Sequence, residues 1–212
     1  MIPKLYAIAD TATLERHGLA LVATARAFLD GGARLVQVRH KGQFSRLLYA
    51  DCVRVAAMCA EAGARLVIDD RADIAMLLDC GLHVGQTDLP PVEARRLIGT
   101  DRLLGYSTHN AAQLAEGDGM PVDYLAIGPV FATGSKENPD PVVGVETLKL
   151  LRGSTKKPLV AIGGITLENA PRVLEAGADS LAIIRDLIPE GGAYGEIRAR
   201  VEEWRRNLGD MV

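Results

Sequence analysis

The sequence has few cysteines, few aromatic residues and no excess of positive charge. Its three cysteines, Cys52, Cys59 and Cys80, do not have the spacing of a metal site, and aromatic residues make up only 4% of the chain. The 24 Lys and Arg residues against 27 Asp and Glu give a net charge of −3, which offers no basis for binding nucleic acid or a membrane surface. Cys52 and Cys59 fall on one apolar helical stripe, so we expect buried free thiols in a reducing compartment.

Targeting and membrane signals are also missing. No apolar run approaches the roughly 20 residues that a membrane span needs. The first residues, MIPKLYAIAD, already predict a strand, so no signal peptide and a cytoplasmic location are expected. What the chain does have is 48% hydrophobic and 24% charged residues over 212 positions, a composition typical of a globular enzyme with a substantial core.

A short phrase recurs along the chain and indicates its architecture. GGARLVQVR at 31–39, AGARLVIDD at 62–70 and AGADSLAII at 176–184 each place a glycine at a helix end before an apolar strand. Strands are predicted near 5–9, 34–38, 65–68, 82–84, 102–106, 123–127, 158–162 and 180–184. Helices are predicted near 19–30, 45–62, 71–79, 90–98, 110–117, 144–152, 167–176 and 193–207.

Strict alternation of apolar strands with helices is typical of a parallel sheet covered by helices. We predict a closed (β/α)₈ TIM barrel that forms one domain over 1–212. The alternative is an open, doubly wound sheet, but no G-x-G-x-x-G turn follows the first strand. The longest irregular segment, 128–143, follows the sixth strand and is predicted to be a lid over the barrel mouth.

Polar residues and glycines follow nearly every predicted strand, where a barrel places its active site. In chain order these are Asp10, Gln37, Arg39, Lys41, Asp69, Asp70, Gln86, Asp88, Ser107, Thr108, His109, the TGSK segment 133–136, Gly163, Gly164 and Arg185. Any one of them could be an ordinary loop residue or part of a salt-bridged rim. The whole set is better explained by a functional site, because the strands beneath are apolar.

The chemistry of these residues indicates phosphate binding. Arg39, Lys41 and Lys136 carry charges and donors suited to phosphate oxygens, and Asp70 and Asp88 suit Mg²⁺ bridging those oxygens. The glycine turn at 163–164 and the turn at 184–186 suit a second anion site, made mostly of backbone. Two phosphorylated substrates, or one long one, are therefore expected.

No nucleophile–base arrangement of the Ser/His/Asp or Cys/His type is evident in the sequence. His17 and His40 are expected to be solvated. His83, within the fourth strand, is expected to be structural rather than catalytic.

Taken together, these residues resemble the thiamine-phosphate synthase family. The resemblance rests on segments spread across the chain: LYAIAD, QVRHK, DDRADIA, HVGQTDLP, GYSTH, GPVFATGSK, VAIGGITLEN and AGAD. It implies a transferase that joins a pyrimidine-methyl diphosphate to a thiazole phosphate and releases diphosphate with Mg²⁺. It also implies small-molecule substrates rather than a macromolecular partner.

The resemblance further implies a role for each matching residue. Gln37 would bind the pyrimidine, Arg39 and Lys41 the diphosphate, and Asp70 and Asp88 the Mg²⁺. Ser107 would lie on the diphosphate side, and Lys136 would reach the departing diphosphate. The remaining predicted substrate contacts, mainly to the thiazole phosphate, are Thr133, Gly134, Ser135, Gly164, Ile184 and Arg185. Asp69 is predicted to touch substrate or metal.

Three positions depart from the family pattern. Asp69 replaces the usual Asn, and an ionised Asp cannot donate a hydrogen bond, so its contact with substrate is altered. Ser135 stands in the second position of a T-x-T pattern and keeps the hydroxyl. Arg185 replaces a small residue, where its charge either strengthens the phosphate site or turns to solvent.

Two other functions are consistent with parts of the sequence. A thiazole tautomerase, a near relative on a similar barrel, would use a histidine at the position of His109. A regulatory, non-catalytic phosphate-binding barrel is the other. Lys41, Asp70, Asp88 and Lys136 together favour the synthase, because a tautomerase acting on a monophosphate needs no pair of metal-binding acids.

Overall fold

The protein folds as a closed parallel barrel in which eight strands are paired in chain order. The structure, a computed structural model, describes residues 2–133 and 141–209. The strands are β1 Leu5–Asp10, β2 Leu35–Arg39, β3 Arg65–Asp69, β4 Gly81–Val84, β5 Leu104–Thr108, β6 Tyr124–Ile127, β7 Leu159–Ile162 and β8 Ser180–Ile183. β1 pairs with β8, with Leu5 opposite Leu181, and this pairing closes the barrel.

Helices surround the barrel and cover its outer surface. They are α1 Thr11–Arg16, α2 Leu21–Asp30, α3 Arg46–Glu61, α4 Ala72–Leu77, α5 Pro91–Ile98, α6 Ala111–Asp118, α7 Val145–Arg152, α8 Ala170–Glu175 and α9 Tyr194–Leu208, with a 3-10 helix at Arg185–Leu187. The predicted (β/α)₈ barrel is thus confirmed. Near-continuous apolar strands form this sheet because both of its faces are buried.

Strand residues alternate between two separate apolar layers. Outward residues such as Val36 and Val38 join the large core between sheet and helices. Inward residues such as Tyr6, Val67 and Tyr124 form a smaller cluster inside the barrel. This alternation places the polar inward residues of each strand end in the barrel mouth.

Two short elements were not predicted. α1 directly follows β1, and Asp10 caps it by accepting from the Thr13 backbone N–H at 3.0 Å. The 3-10 helix follows β8. Both are too short to show a helical period in the sequence. β5 also begins two residues later than predicted, so Ser107 lies inside the strand.

α9 carries the only tryptophan of the chain and fixes the segment after β8. Trp204 is completely buried and its indole N–H donates to Asp186 Oδ2 at 2.8 Å. Arg200 of the same helix donates to the same oxygen at 2.8 Å. The rim next to Arg185 is therefore held from beneath by the last helix.

The three cysteines are free and buried, as predicted. Burial raises the pKa of each thiol to about 12, so all three remain neutral at physiological pH. None of the helices in the described part of the chain combines the length and the apolar surface that crossing a membrane demands.

Candidate active site

A cavity of about 820 Å³ opens at the C-terminal ends of the strands, a size suited to small-molecule ligands. The predicted site residues that line it are Gln37, Arg39, Lys41, Asp69, Asp70, Asp88, Ser107, Thr133, Gly164, Ile184 and Arg185. Gly134, Ser135 and Lys136 lie outside the described residues. The described residues to which the family resemblance assigns a role therefore all border one cavity, whereas Asp10 is buried and does not line it.

Cations and acids from three strand ends form one network on one side of this cavity. Arg39 donates to Asp10 Oδ1 at 2.5 Å, and its Nε lies 3.6 Å from Asp69 Oδ2. Lys41 Nζ lies 2.9 Å from Asp69 Oδ2 and 2.5 Å from Asp70 Oδ2. Burial disfavours the charged lysine, but Asp69 and Asp70 outweigh burial and raise the pKa of Lys41. Lys41 is therefore held charged at the rim.

Asp70 and Asp88 form the acid pair predicted to bind Mg²⁺, and their side chains are hydrogen-bonded to each other. Burial, the charge of Asp69 and this bond to Asp88 raise the pKa of Asp70 to about 6. Two adjacent carboxylates would present oxygen ligands to a divalent cation once Asp70 is ionised.

A third carboxylate, that of Asp69, lies beside this pair and is ion-paired with Lys41, whose Nζ is 2.9 Å from its Oδ2. Asp69 Oδ2 is buried and has no aligned hydrogen bond within the described residues. No group of three or more His, Cys, Asp or Glu side chains in residues 2–133 and 141–209 is arranged to hold a metal. The residues present thus fit Mg²⁺ held by two carboxylates, with water and substrate oxygens completing its shell.

Backbone geometry fixes both carboxylates. Asp70 has φ of 62°, a left-handed conformation that is uncommon outside glycine, and its N–H donates to His83 carbonyl oxygen at 2.8 Å. Asp88 Oδ2 accepts from the Gly85 N–H at 2.7 Å, which closes the turn after β4. Strained conformations of this kind are typical of functional sites.

We expect Mg²⁺ to stabilise the protein only where Asp70 is ionised. Between the usual pKa of 3.8 and about 6, the folded state holds a proton that the unfolded state has lost. The contribution of Asp70 to the free energy of unfolding therefore falls as pH rises through this window when Mg²⁺ is absent. The rise in Tm caused by Mg²⁺ should be small below about pH 5 and full above about pH 7.

Thermal unfolding with and without Mg²⁺ across this pH range measures the effect. Asp70→Asn is the comparison, and it should lose both the Mg²⁺ response and its pH dependence. A Tm shift that is the same at every pH, or that survives in Asp70→Asn, would contradict the assignment of Asp70 as a ligand.

The opposite side of the cavity is built from glycine-rich backbone. Gly163 and Gly164 have φ of 100° and 65°, and a Cβ on Gly164 would lie 2.6 Å from the Ala132 carbonyl oxygen. Phe131 N–H donates to Gly163 O at 3.0 Å, so the segment after β6 lies directly on this turn. Arg185 is exposed on the same rim. These residues line the side of the cavity where the sequence predicts a second anion site, and anion binding there stays a prediction.

Segment 128–143, predicted as a lid, is described only at its ends. Val143 N–H donates to Pro129 O at 2.8 Å and Gly144 N–H to Val130 O at 3.2 Å, so the two ends are held together beside the cavity. Thr133 lines the cavity. Closure over the mouth stays a prediction.

Two tyrosines at the floor of the cavity were missed by the sequence analysis. Tyr6 of β1 and Tyr124 of β6 are buried inside the barrel, with their hydroxyl oxygens 3.0 Å apart. Gln37 donates to Tyr6, and His83 joins Tyr124 to Ser107. The only indication in the sequence was a tyrosine at an inward-facing strand position. That pattern is the same for a tyrosine that simply packs in an apolar core.

The histidines only partly match expectation. His17 is exposed as predicted. His40 is half-buried rather than solvated, because Nδ1 is bonded to Thr11 Oγ1 at 2.8 Å and Nε2 to the Gln43 carbonyl oxygen at 3.2 Å. His83 is buried in the barrel interior. His109 lines the cavity, and its Nδ1 donates to the Gly128 carbonyl oxygen at 2.6 Å.

This fold and this rim define a (β/α)₈ barrel with a cavity at its mouth that is lined by cations, acids and glycines. A family model described as thiamine monophosphate synthase matches residues 5–187. The chain belongs to this family, and it is a transferase of thiamine biosynthesis.

Individual relatives agree with this assignment. A thiamine-phosphate synthase of Koribacter versatilis is 46% identical over 190 residues, covering 88% of this chain and 90% of the relative. One of Syntrophomonas wolfei is 40% identical over 204 residues, covering 96% and 97%. The solved structure of a thiamine phosphate pyrophosphorylase from Pyrococcus furiosus has a TM-score of 0.84 and 32% identity, covering 98% of this chain and 96% of that one.

Proposed function

We propose that this enzyme joins 4-amino-2-methyl-5-pyrimidinylmethyl diphosphate to a thiazole phosphate to give thiamine phosphate and diphosphate. The observation that carries the proposal is the grouping of Arg39 and Lys41 with the Asp70–Asp88 pair on one rim, opposite the glycine turn at 163–164. Such a cavity offers one site for a diphosphate with its cation and a second for a monophosphate.

The reaction needs positioning and charge stabilisation rather than a base. The bond between the pyrimidine methylene and the diphosphate oxygen breaks, and its electron pair leaves with the diphosphate. The thiazole nitrogen then supplies its lone pair to the methylene carbon, and no proton is transferred. Mg²⁺, when bound, would neutralise charge on the leaving group.

The chain's own residues hold the two substrates in line and stabilise the leaving charge. Arg39, Lys41 and Ser107 would donate to the diphosphate, Lys136 would reach the same group, and Asp70 and Asp88 would hold the Mg²⁺. Gln37 would orient the pyrimidine. The proposed contacts of the thiazole phosphate are Thr133, Gly134, Ser135, Gly164, Ile184 and Arg185. We also propose a single domain over 1–212, with 128–143 as its lid, acting in the cytoplasm.

Asp69→Asn is expected to keep or raise turnover. The carboxylate of Asp69 pairs with Lys41 and, at longer range, with Arg39, and its charge is one cause of the raised pKa of Asp70. An amide would remove one carboxylate partner from each cation, leaving Arg39 with Asp10 and Lys41 with Asp70, and it would ease ionisation of Asp70. Steady-state kinetics should show an unchanged or lower KM for the pyrimidine diphosphate. A loss of about 100-fold in kcat, equal to about 2.7 kcal/mol of barrier, would mean that the carboxylate has its own role.

The direct test is production of thiamine phosphate from the two purified substrates, with Mg²⁺ and with a chelator. Metal-dependent product supports the proposal. Folded protein that makes no product would contradict it. Thiazole isomerisation by that protein, lost in His109→Ala, would instead support a tautomerase, since His109 also lines the cavity.

A further inference from the structure

Five polar side chains form a continuous hydrogen-bond chain across the barrel interior, beneath the candidate active site. Gln37 Nε2 donates to the Tyr6 hydroxyl at 2.8 Å, and that hydroxyl lies 3.0 Å from the hydroxyl of Tyr124. Tyr124 Oη lies 2.9 Å from His83 Nδ1, and His83 Nε2 lies 2.8 Å from Ser107 Oγ. The chain links a proposed pyrimidine contact to a proposed diphosphate contact.

The chain is rigidly held, so its members cannot readily choose other partners. The His83 and Tyr124 rings stack with centroids 5.6 Å apart and planes inclined by 22°, and Tyr6 meets Tyr124 edge to face. Gly105 provides the space, because a Cβ there would lie 2.0 Å from Tyr124 Cζ. Burial raises the pKa of both tyrosines, so each hydroxyl keeps its single proton.

For a neutral His83, one proton per link means that the hydrogen bonds of the chain can run in only two directions. An anion beside Ser107 accepts hydrogen bonds and requires the Ser107 hydroxyl to donate. His83 Nε2–H must then donate to Ser107, which leaves Nδ1 as an acceptor for Tyr124. Tyr124 in turn accepts from Tyr6, so the Tyr6 hydroxyl has no proton left for Gln37.

The direction of these hydrogen bonds also fixes the orientation of the Gln37 amide. With Tyr6 only accepting, Gln37 must turn Nε2 toward Tyr6, which is the orientation observed. Oε1 makes no hydrogen bond to the described residues, and the side chain borders the cavity. The oxygen is therefore available to accept from an amine, and the second Nε2 proton remains for a ring nitrogen.

We propose that this buried chain, through Tyr6, Tyr124 and His83, makes the enzyme select a 4-aminopyrimidine over its 4-oxo analogue. A 4-oxo ring carries a proton on N3 and a carbonyl in place of the amine, so it needs the amide of Gln37 reversed. Turning the amide requires all four hydrogen bonds of the chain to reverse their direction. Ser107 would then donate its proton to His83 and present only acceptor lone pairs to the anion. The proposal rests on the proposed function, and it makes the three residues positioning and specificity-determining residues.

Selectivity measures this role directly. We expect the wild type to prefer the 4-amino diphosphate over the 4-oxo diphosphate in kcat/KM by at least about 100-fold. Tyr6→Phe and Tyr124→Phe each break the chain and let the Gln37 amide turn, so the preference should fall at least about tenfold, or about 1.4 kcal/mol. Tyr49→Phe is the matched control, because it removes the hydroxyl of a half-buried tyrosine on α3. This variant should keep the wild-type ratio.

The outcomes separate the two proposals. Loss of turnover on both pyrimidines with an unchanged ratio would show a merely structural role for the tyrosines and overturn the inference. A wild type that converts neither pyrimidine would overturn the proposed function instead.

A measurement on the wild-type protein keeps the inference testable if the variants do not fold. With Mg²⁺ and inorganic diphosphate bound, ¹⁵N NMR of the imidazole rings should show His83 protonated on Nε2 and bare on Nδ1. His83→Asn assigns the signal among the four histidines of the chain. The opposite tautomer, or a His83 ring protonated on both nitrogens, in the bound protein would overturn the inference.

Discussion

Asp88→Ala is expected to abolish Mg²⁺-dependent turnover while the barrel stays folded. Asp88 supplies one of two carboxylates at the proposed metal site, and it lines the cavity together with Asp70. A single carboxylate would bind Mg²⁺ weakly, so charge on the departing diphosphate would go unneutralised. Steady-state kinetics over a series of Mg²⁺ concentrations, with circular dichroism for the fold, measure the effect.

Asp88→Asn separates the metal from the turn. Asp88 Oδ2 also accepts from the Gly85 N–H, and an amide oxygen preserves that bond while removing the charge. A loss of about 100-fold or more in Asp88→Asn therefore reports the charge. Asp101→Asn, at an exposed acid before β5 on the opposite end of the barrel, is the matched control. Unchanged turnover of Asp88→Ala at low Mg²⁺ would remove the metal-site assignment.

Lys41→Gln is expected to lower kcat/KM for the pyrimidine diphosphate by about 100-fold, because Lys41 carries charge next to both Asp69 and Asp70 where the leaving group would lie. The KM for the thiazole phosphate should stay unchanged, since that substrate would bind on the glycine side. The KM and kcat of each substrate, measured separately, make this distinction.

Lys41 also acts on the acid pair, and the assay must separate the two effects. Its hydrogen bond and charge lower the pKa of Asp70, so the variant would hold a proton at the metal site more strongly. Kinetics at about pH 8, where Asp70 is ionised in both proteins, isolate the contribution to the leaving group. Lys156→Gln, at an exposed lysine before β7, is the control. An equal loss for both substrates would contradict the assigned role.

The barrel and the residues at its mouth were predictable because they depend on local patterns. Apolar runs that end in a glycine or an acidic residue indicate each strand and its C-terminal end. Arg39, Asp70 and Asp88, which line the cavity, could therefore be predicted from the sequence. The cap of α1 by Asp10 was missed because a six-residue helix has no readable period, and its Thr13 partner looks like any loop hydroxyl.

The interior polar chain could not be predicted, because it depends on distances between strands far apart in sequence. Tyr6 and Tyr124 are 118 residues apart, and their contact needs the taper of the closed barrel and the missing side chain at Gly105. The alternation along each strand indicates which side chains point inward, but it does not indicate which of them are in contact. His83 was expected to be structural because it falls within the fourth strand, and the structure adds its bond to Ser107.

The buried indole of Trp204 gives the enzyme an intrinsic optical probe. Because it is the only tryptophan, the emission of the protein at long excitation wavelength comes from one position. Its N–H is bonded to Asp186, next to Arg185 at the cavity rim, so a charge arriving there changes the field across the ring. Titration of inorganic phosphate against this fluorescence therefore follows binding at the glycine side of the mouth without a label, and ligands at the acid side serve as its internal comparison.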